Sequence, residues 1–151
     1  MVLLVSKFGY FFKMFLRPRE KKYKKETKGK ISGICRESIT FGVFGIKSLE
    51  YGKITARQIE TARRVISKRV KNTGKFWICI FPAKPVTRKP NEIRMGKGKG
   101  SVSFWVAPVK PGKILFEIEG VNKTIATKIL ESISNKLPIK VSLSYKFSDL
   151  L

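Results

Sequence analysis

Residues 82–100, PAKPVTRKPNEIRMGKGKG, hold the residue types best suited to gripping an anion. Six basic side chains (Lys84, Arg88, Lys89, Arg94, Lys97 and Lys99) stand against one acid, Glu92. Prolines at 82, 85 and 90 stiffen the rising arm of the segment and remove backbone donors. Gly96, Gly98 and Gly100 then let the main chain approach another backbone closely, with N–H groups free to hydrogen-bond phosphate. Lys97 and Lys99 alternate with those glycines, so each ammonium can reach an anion without a bulky neighbour. The pattern is neither the GxxxxGK[ST] phosphate loop nor a GxGxxG turn that opens a helix after a strand. A flexible linker is the rival reading of the glycine–lysine run. Proline stiffening and apolar strands at both ends favour a displayed, functional loop, as its length also does.

A second basic block precedes the globular part. Residues 13–30 carry Lys13, Arg17, Arg19, Lys21, Lys22, Lys24, Lys25, Lys28 and Lys30 against Glu20 and Glu26. Such a block cannot bury its charge and stays extended until it meets an anion; a solvated tail is the alternative. The whole chain shares the bias: 33 Lys and Arg against 10 Asp and Glu give a formal charge of +23 over 151 residues. A surface so charged repels itself, and nucleic acid is the commonest partner that relieves it, with an anionic membrane surface next.

Catalytic and metal chemistry find little support. The chain has no histidine, hence neither the usual general base near neutral pH nor the commonest metal ligand. Cys35 and Cys79 stand far apart with no CxxC pairing and read as structural thiols in a reducing compartment. The acids are scattered, and no nucleophile has a base at motif spacing. No catalytic residue, metal, cofactor or small-molecule substrate is therefore expected. No stretch reaches the roughly 18–20 apolar residues of a membrane span. The opening MVLLVSKFGYFFKMFL could still serve as a short targeting or surface-anchoring segment.

The elements that must position these cations can be read in order. ITFGVFGIKSL (39–49) reads as a strand region in which Gly42 and Gly45 mark a bulge or close backbone approach. Thr55 and Gln58 form a capping box that opens a helix over 55–71. Ile59, Ala62, Ile66 and Val70 fall on its apolar stripe, and Arg57, Arg64, Lys68 and Lys71 on the opposite one. FWICIF (76–81) reads as a central strand covered on both sides. Val102–Ala107 and Ile114–Ile118 read as two more strands joined by a turn at Pro111-Gly112. Asn122 caps a second helix whose buried stripe is Ile125, Ile129, Leu130, Ile133 and Leu137. Ile139 to Phe147 alternate as a half-buried strand. Trp77 and Trp105 sit in strands, where core packing is the better reading than a stacking platform. The division is then an extension of unassigned role (1–13), a basic arm (14–32), one globular domain (33–147) that carries the 82–100 loop, and a short tail (148–151).

ITARQIETARR (54–64), GKFWICIFPAKPVT (74–87), RMGKGKGSVSFWVAPVKPGKILFEIEG (94–120) and KLPIKV (136–141) resemble, in order and spacing, the bacterial-type L-sixteen family of large-subunit ribosomal proteins. MFLRPREKKYKKETKGKISG (14–33) is similar to that family's amino-terminal arm. The resemblance implies a compact α+β domain with a mixed, largely antiparallel sheet and two packed helices, seated on large-subunit rRNA near the peptidyl-transferase region. It implies rRNA contacts by Arg17, Arg19, Lys21, Lys22, Lys24, Lys25, Lys28, Lys30, Arg57, Arg64, Lys68 and Lys71. It places Arg88, Arg94, Met95, Gly96, Lys97, Gly98, Lys99 and Gly100 in a loop that approaches A- and P-site tRNA. Neighbouring large-subunit proteins are further implied partners. Cys79 stands where the family usually has a basic residue, and Ala83 where it has an acid. The residues before Met14 and the Lys-, Ile- and Phe-rich vocabulary suggest a mitochondrial ribosome, with a plastid or the bacterial cytoplasm as alternatives. A free RNA-binding or RNA-chaperone module is the rival function.

Overall fold

The computed structural model describes residues 3–5, 17–20, 23–71 and 73–146. Lys13, Lys21, Lys22, Phe147 and most of the 1–13 extension lie outside the described residues. The elements run β1 (Leu3–Val5), β2 (Phe44–Ser48), β3 (Gly52–Thr55), α1 (Ala56–Val70), β4 (Lys75–Ile78), β5 (Lys84–Arg88), β6 (Ser101–Val109), β7 (Ile114–Glu119), α2 (Lys123–Ser134) and β8 (Val141–Tyr145). This is the expected α+β class with two helices. The strands divide into a five-stranded sheet of order β1-β4-β7-β2-β8 and a three-stranded sheet of order β3-β6-β5. Every ladder among the described residues is antiparallel, so the sheet expected to be mixed has no parallel pair.

The helix α1 forms where its cap requires. The Gln58 amide donates to the Thr55 hydroxyl at 3.3 Å, and the Thr55 amide donates to the Gln58 side chain at 2.8 Å. Two orphan donors are thereby satisfied reciprocally. Ile59, Ala62, Ile66 and Val70 are all buried, as their spacing predicts. They join Ile46, Ile54, Phe116, Ile118, Ile129 and Ile133 in one core between the helices and the sheets. Each large side chain in it contributes on the order of 1.5–3 kcal/mol by leaving water. The second helix starts after Asn122, yet the Asn122 side chain makes no capping bond. Its buried residues are Ala126, Ile129 and Ile133, with Ile125 and Leu130 half-buried at the margin.

Three expectations need correction. The segment 82–100 is not structureless along its rising arm: Lys84–Arg88 forms β5, which pairs with β6 from Lys84↔Val106 to Arg88↔Ser101. Pro85 is tolerated because β5 is an edge strand with no neighbour on its far side. The strand regions at 39–49 and 76–81 shorten to Phe44–Ser48 and Lys75–Ile78. The turn at Pro111-Gly112 exists, but the strands it joins enter different sheets, since β6 pairs with β3 and β5 while β7 pairs with β4 and β2.

Gly42 fulfils the close approach expected of it: a Cβ there would lie 2.7 Å from the Ile118 carbonyl oxygen. Leu3–Val5, within the opening segment, was not expected to form a strand. It pairs with β4 from Leu3↔Ile78 to Val5↔Phe76.

Candidate nucleic-acid interface

The three-stranded sheet is two-faced, and that property builds the site. Residues opposite one another in a ladder share a face. Ile54 and Ala107 are paired and, with Val109, belong to the core. The other face carries Lys53, Thr55, Lys84, Val86, Phe104 and Val106, through the pairs Thr55↔Val106, Lys84↔Val106 and Val86↔Phe104. Over this outer face runs the basic arm.

The arm is held there by lysines that reach to backbone carbonyls. Lys84 Nζ donates to the Lys28 carbonyl at 2.9 Å, and Lys25 Nζ donates to the Lys99 carbonyl at 2.7 Å. Lys99 Nζ in turn donates to the Glu26 carbonyl. The arm and the hairpin, distant in sequence, thus form one cationic surface. Each ammonium carries three donors, so a lysine that donates once keeps capacity for a phosphate oxygen.

Two carboxylates fix the chain just after the arm, where the domain begins. Glu117, only 2% exposed, accepts the backbone amides of Thr40 at 3.2 Å, Phe41 at 2.6 Å and Gly42 at 2.9 Å. Glu37 accepts from Lys113 Nζ at 2.7 Å, the Ile114 amide at 3.0 Å and the Cys35 thiol at 3.3 Å. Burial works to raise the Glu37 pKa, but these hydrogen bonds and the Lys113 charge outweigh it and hold the carboxyl below its usual range. Both of these acids are thus spent on internal anchoring.

The hairpin tip has little protein around it. Gly96 and Gly98 adopt φ of 98° and 80°, and a Cβ on either would meet nothing within 4 Å. Lys97 between them also takes a left-handed φ, 53°, uncommon for a side-chain-bearing residue. Lys89 Nζ donates to the Gly96 carbonyl at 2.5 Å and closes the tip on itself. Met95 is 94% exposed, and Arg88, Arg94, Lys97 and Lys99 are all exposed. Gly100 differs from the other two glycines: it lies against the Arg88 backbone where the strands resume.

The remaining predicted cations are dispersed. Arg17, Arg19, Lys24, Lys25, Lys28 and Lys30 are exposed along the arm, and Arg57, Arg64, Lys68 and Lys71 are exposed on and just beyond α1. The start of α1 meets the arm–hairpin surface through Thr55, whereas no hydrogen bond or ion pair links Arg64, Lys68 or Lys71 to the arm or the hairpin tip among the described residues. Arg64 is not a bare cation, because Glu60 pairs with it at 3.2 Å and with Arg63 at 2.8 Å. Hydrogen bonds from Arg63 lead in drawing the Glu60 carboxyl below its usual range against a burial cost. An exposed pair of this kind is worth only about 0–1 kcal/mol, so Arg64 can exchange Glu60 for a phosphate at small cost.

Two residues of this face, Lys53 and Phe104, were not among the candidates read from the sequence, and Lys84 was there only as one of the loop's cations. The ladders put all three on one face. The period-2 alternation of Lys84 with Val86 was the available signal. Trp77 is buried and stacks on Phe41 with ring centroids 5.9 Å apart, in keeping with a core role. Cys35 and Cys79 are free thiols. Among the described residues no cluster of acids and cysteines could hold a metal ion, and no helix is long and apolar enough to cross a membrane.

Comparison with known proteins bears directly on this surface. The family described as ribosomal protein L16p/L10e matches residues 18–144. The large ribosomal subunit protein uL16 of Buchnera aphidicola subsp. Cinara cedri (strain Cc) is 52% identical over 126 residues, covering 83% of this chain and 93% of that protein. The uL16 protein of Psychrobacter arcticus is 48% identical over 130 residues, 85% of this chain and 95% of its own. That of Erythrobacter litoralis is 48% identical over 136 residues, with coverages of 89% and 94%. The match takes in the arm from Pro18, both sheets apart from β1, both helices and the glycine–lysine tip, so the chain belongs to the ribosomal protein L16p/L10e family.

Proposed function

We propose that this protein is a structural constituent of the large ribosomal subunit that binds large-subunit rRNA near the peptidyl-transferase region. It catalyses nothing itself. The observation that carries the reading is the arm clasped to the hairpin: Lys25, Lys84 and Lys99 join two basic segments into one surface. Arg17, Arg19, Lys21, Lys22, Lys24, Lys25, Lys28 and Lys30 of the arm, with Arg57, Arg64, Lys68 and Lys71 of α1, neutralise rRNA phosphates. Arg88, Arg94, Met95 and the Gly96–Gly100 tip extend toward A- and P-site tRNA.

The mechanism is electrostatic and geometric. Each neutralised phosphate releases counterions, so log affinity falls against log salt by about 0.7 to 0.9 per contact. Such contacts position the protein without reading sequence. Specificity comes from the folded shape of the RNA and from unstacked bases. The bare tip, with its two left-handed glycines, suits close approach to a second backbone. Neighbouring large-subunit proteins complete the environment, and we place the particle in the mitochondrial matrix on the chain's Lys-, Ile- and Phe-rich vocabulary.

Sedimentation of ribosomes through high salt tests the assignment. The protein should remain with the large subunit of mitochondrial ribosomes. Release into the supernatant with intact subunits would favour a free RNA-binding or RNA-chaperone module instead.

A further inference from the structure

Beneath the clasped arm lies a cavity of about 280 Å³ on the outer face of the three-stranded sheet. Its floor is Val86, Phe104 and Val106, with Pro85 at one side. Its rim holds the ammonium-bearing residues Lys28, Lys53, Lys84 and Lys99, against Glu26 as the one acid among the lining residues. The volume lies just below the small end of ligand clefts, roughly 300–1,000 Å³. Phe104 is 43% exposed, unusual for a phenylalanine in the middle of a strand. Lys53 is exposed and has no hydrogen-bond or ion-pair partner among the described residues.

We propose that this cavity accepts one splayed nucleotide of the RNA, with the base against the Phe104 ring and its phosphate on Lys53. An apolar floor ringed by cations matches that one chemistry: a flat apolar body joined to an anion. A duplex phosphate backbone alone would need the rim and not the floor. Unstacked RNA bases are characteristically held on aromatic rings in this way. The clasp sets the depth of the pocket, because Lys84 and Lys99 hold the carbonyls of Lys28 and Glu26 above the floor. Thr27, Thr55 and Thr87 also line the cavity. Phe104 and Lys53 are thus the determinants of a base-accepting subsite within a surface that otherwise reads only charge. The inference rests on the rRNA-binding reading and adds a recognition element to it.

The test uses the full-length chain and large-subunit cores stripped of this protein, with binding measured across a salt series. Phe104→Leu keeps an apolar side chain on the floor but removes the ring. It should weaken binding about 5- to 150-fold, the range of one lost base stack, and leave the log–log salt slope unchanged. Phe104→Trp should bind like wild type. Lys53→Ala should lower the slope by about 0.7 to 0.9. A uridine analogue that crosslinks on irradiation, placed in the rRNA, should attach to the Phe104 strand in wild type and not in Phe104→Leu. Wild-type affinity in Phe104→Leu, with its thermal unfolding unchanged, would overturn the subsite while the steep wild-type salt slope still upheld rRNA binding. Absence of binding by wild type at any salt would overturn both readings.

Discussion

Lys97 and Lys99 look interchangeable in the sequence, yet the structure gives them different work. Lys97 stands between two glycines with open space around them and has no bond to the rest of the protein among the described residues. Lys99 donates to the Glu26 carbonyl and accepts from Lys25 through its own carbonyl. Lys97→Ala should therefore remove one charge and nothing else. The expected change in log–log salt slope is about 0.7 to 0.9. Between 50 and 200 mM salt, a fourfold range, that converts to about a 2.6- to 3.5-fold narrowing of the gap between mutant and wild type.

Alanine is the right replacement here, because glycine would also relieve the left-handed backbone at φ 53° and so confound the comparison. Lys99→Ala should lower the slope by more than 0.9, since it also unfastens the arm and takes further cations out of register. Neither change should move folding stability by more than about 0.5 kcal/mol. Filter binding to stripped large-subunit cores across a salt series measures the slopes, and urea unfolding measures stability. Equal slopes for the two mutants would refute the clasp. An unchanged slope for Lys97→Ala would refute phosphate contact at the tip.

Four other outcomes follow from the fold. Ile66, fully buried, should cost about 2–5 kcal/mol on truncation to alanine while the salt slope of the folded fraction stays as it was; urea melts and binding titrations separate the two effects. Glu117→Gln should cost about 1–3 kcal/mol in urea unfolding, because an amide cannot accept all three N–H bonds and leaves at least one donor unpaired. A loss below 0.5 kcal/mol would mean that water replaces the carboxylate. Glu37 has its folded pKa depressed, so its contribution is present above the unfolded value near 4.5 and is lost as pH falls through the folded one; Glu37→Gln should flatten stability below about pH 4.5 in thermal melts. Burial first, and then the Glu117 charge, push the Cys79 thiol up to about 12. Alkylation of Cys79 in the folded protein at pH 8 should accordingly run about a thousandfold slower than that of a free thiol, and a rate equal to that of the urea-unfolded chain would contradict the packing.

How much of this was legible from the letters depends on the range of the interaction involved. The capping box and the stripe from Ile59 to Val70 were legible because a helix is written within one stretch of chain. The loop was legible as chemistry, since alternating Gly and Lys carry their own meaning, but its rising arm was misjudged. Pro85 suggested irregular chain, and only the position of β5 at a sheet edge makes proline acceptable there. The separate sheets of β6 and β7 were not legible, because a tight turn ordinarily signals a hairpin and nothing local reports that the partners lie elsewhere. The clasp was hidden for the same reason. Lys25 and Lys99 stand 74 positions apart, and composition could mark both as cations without saying that they touch.

The acceptors in that clasp are main-chain oxygens, of Glu26, Lys28 and Lys99. Every amino acid supplies one, so the identity of residue 28 can change without loosening its part of the fastening. Drift in the arm is then steered by its outward company and not by the need to stay docked, which falls instead on the donors at 25, 84 and 99. A strap with an interchangeable outer surface can be re-tailored to a changing ribonucleoprotein while its buckle stays fixed.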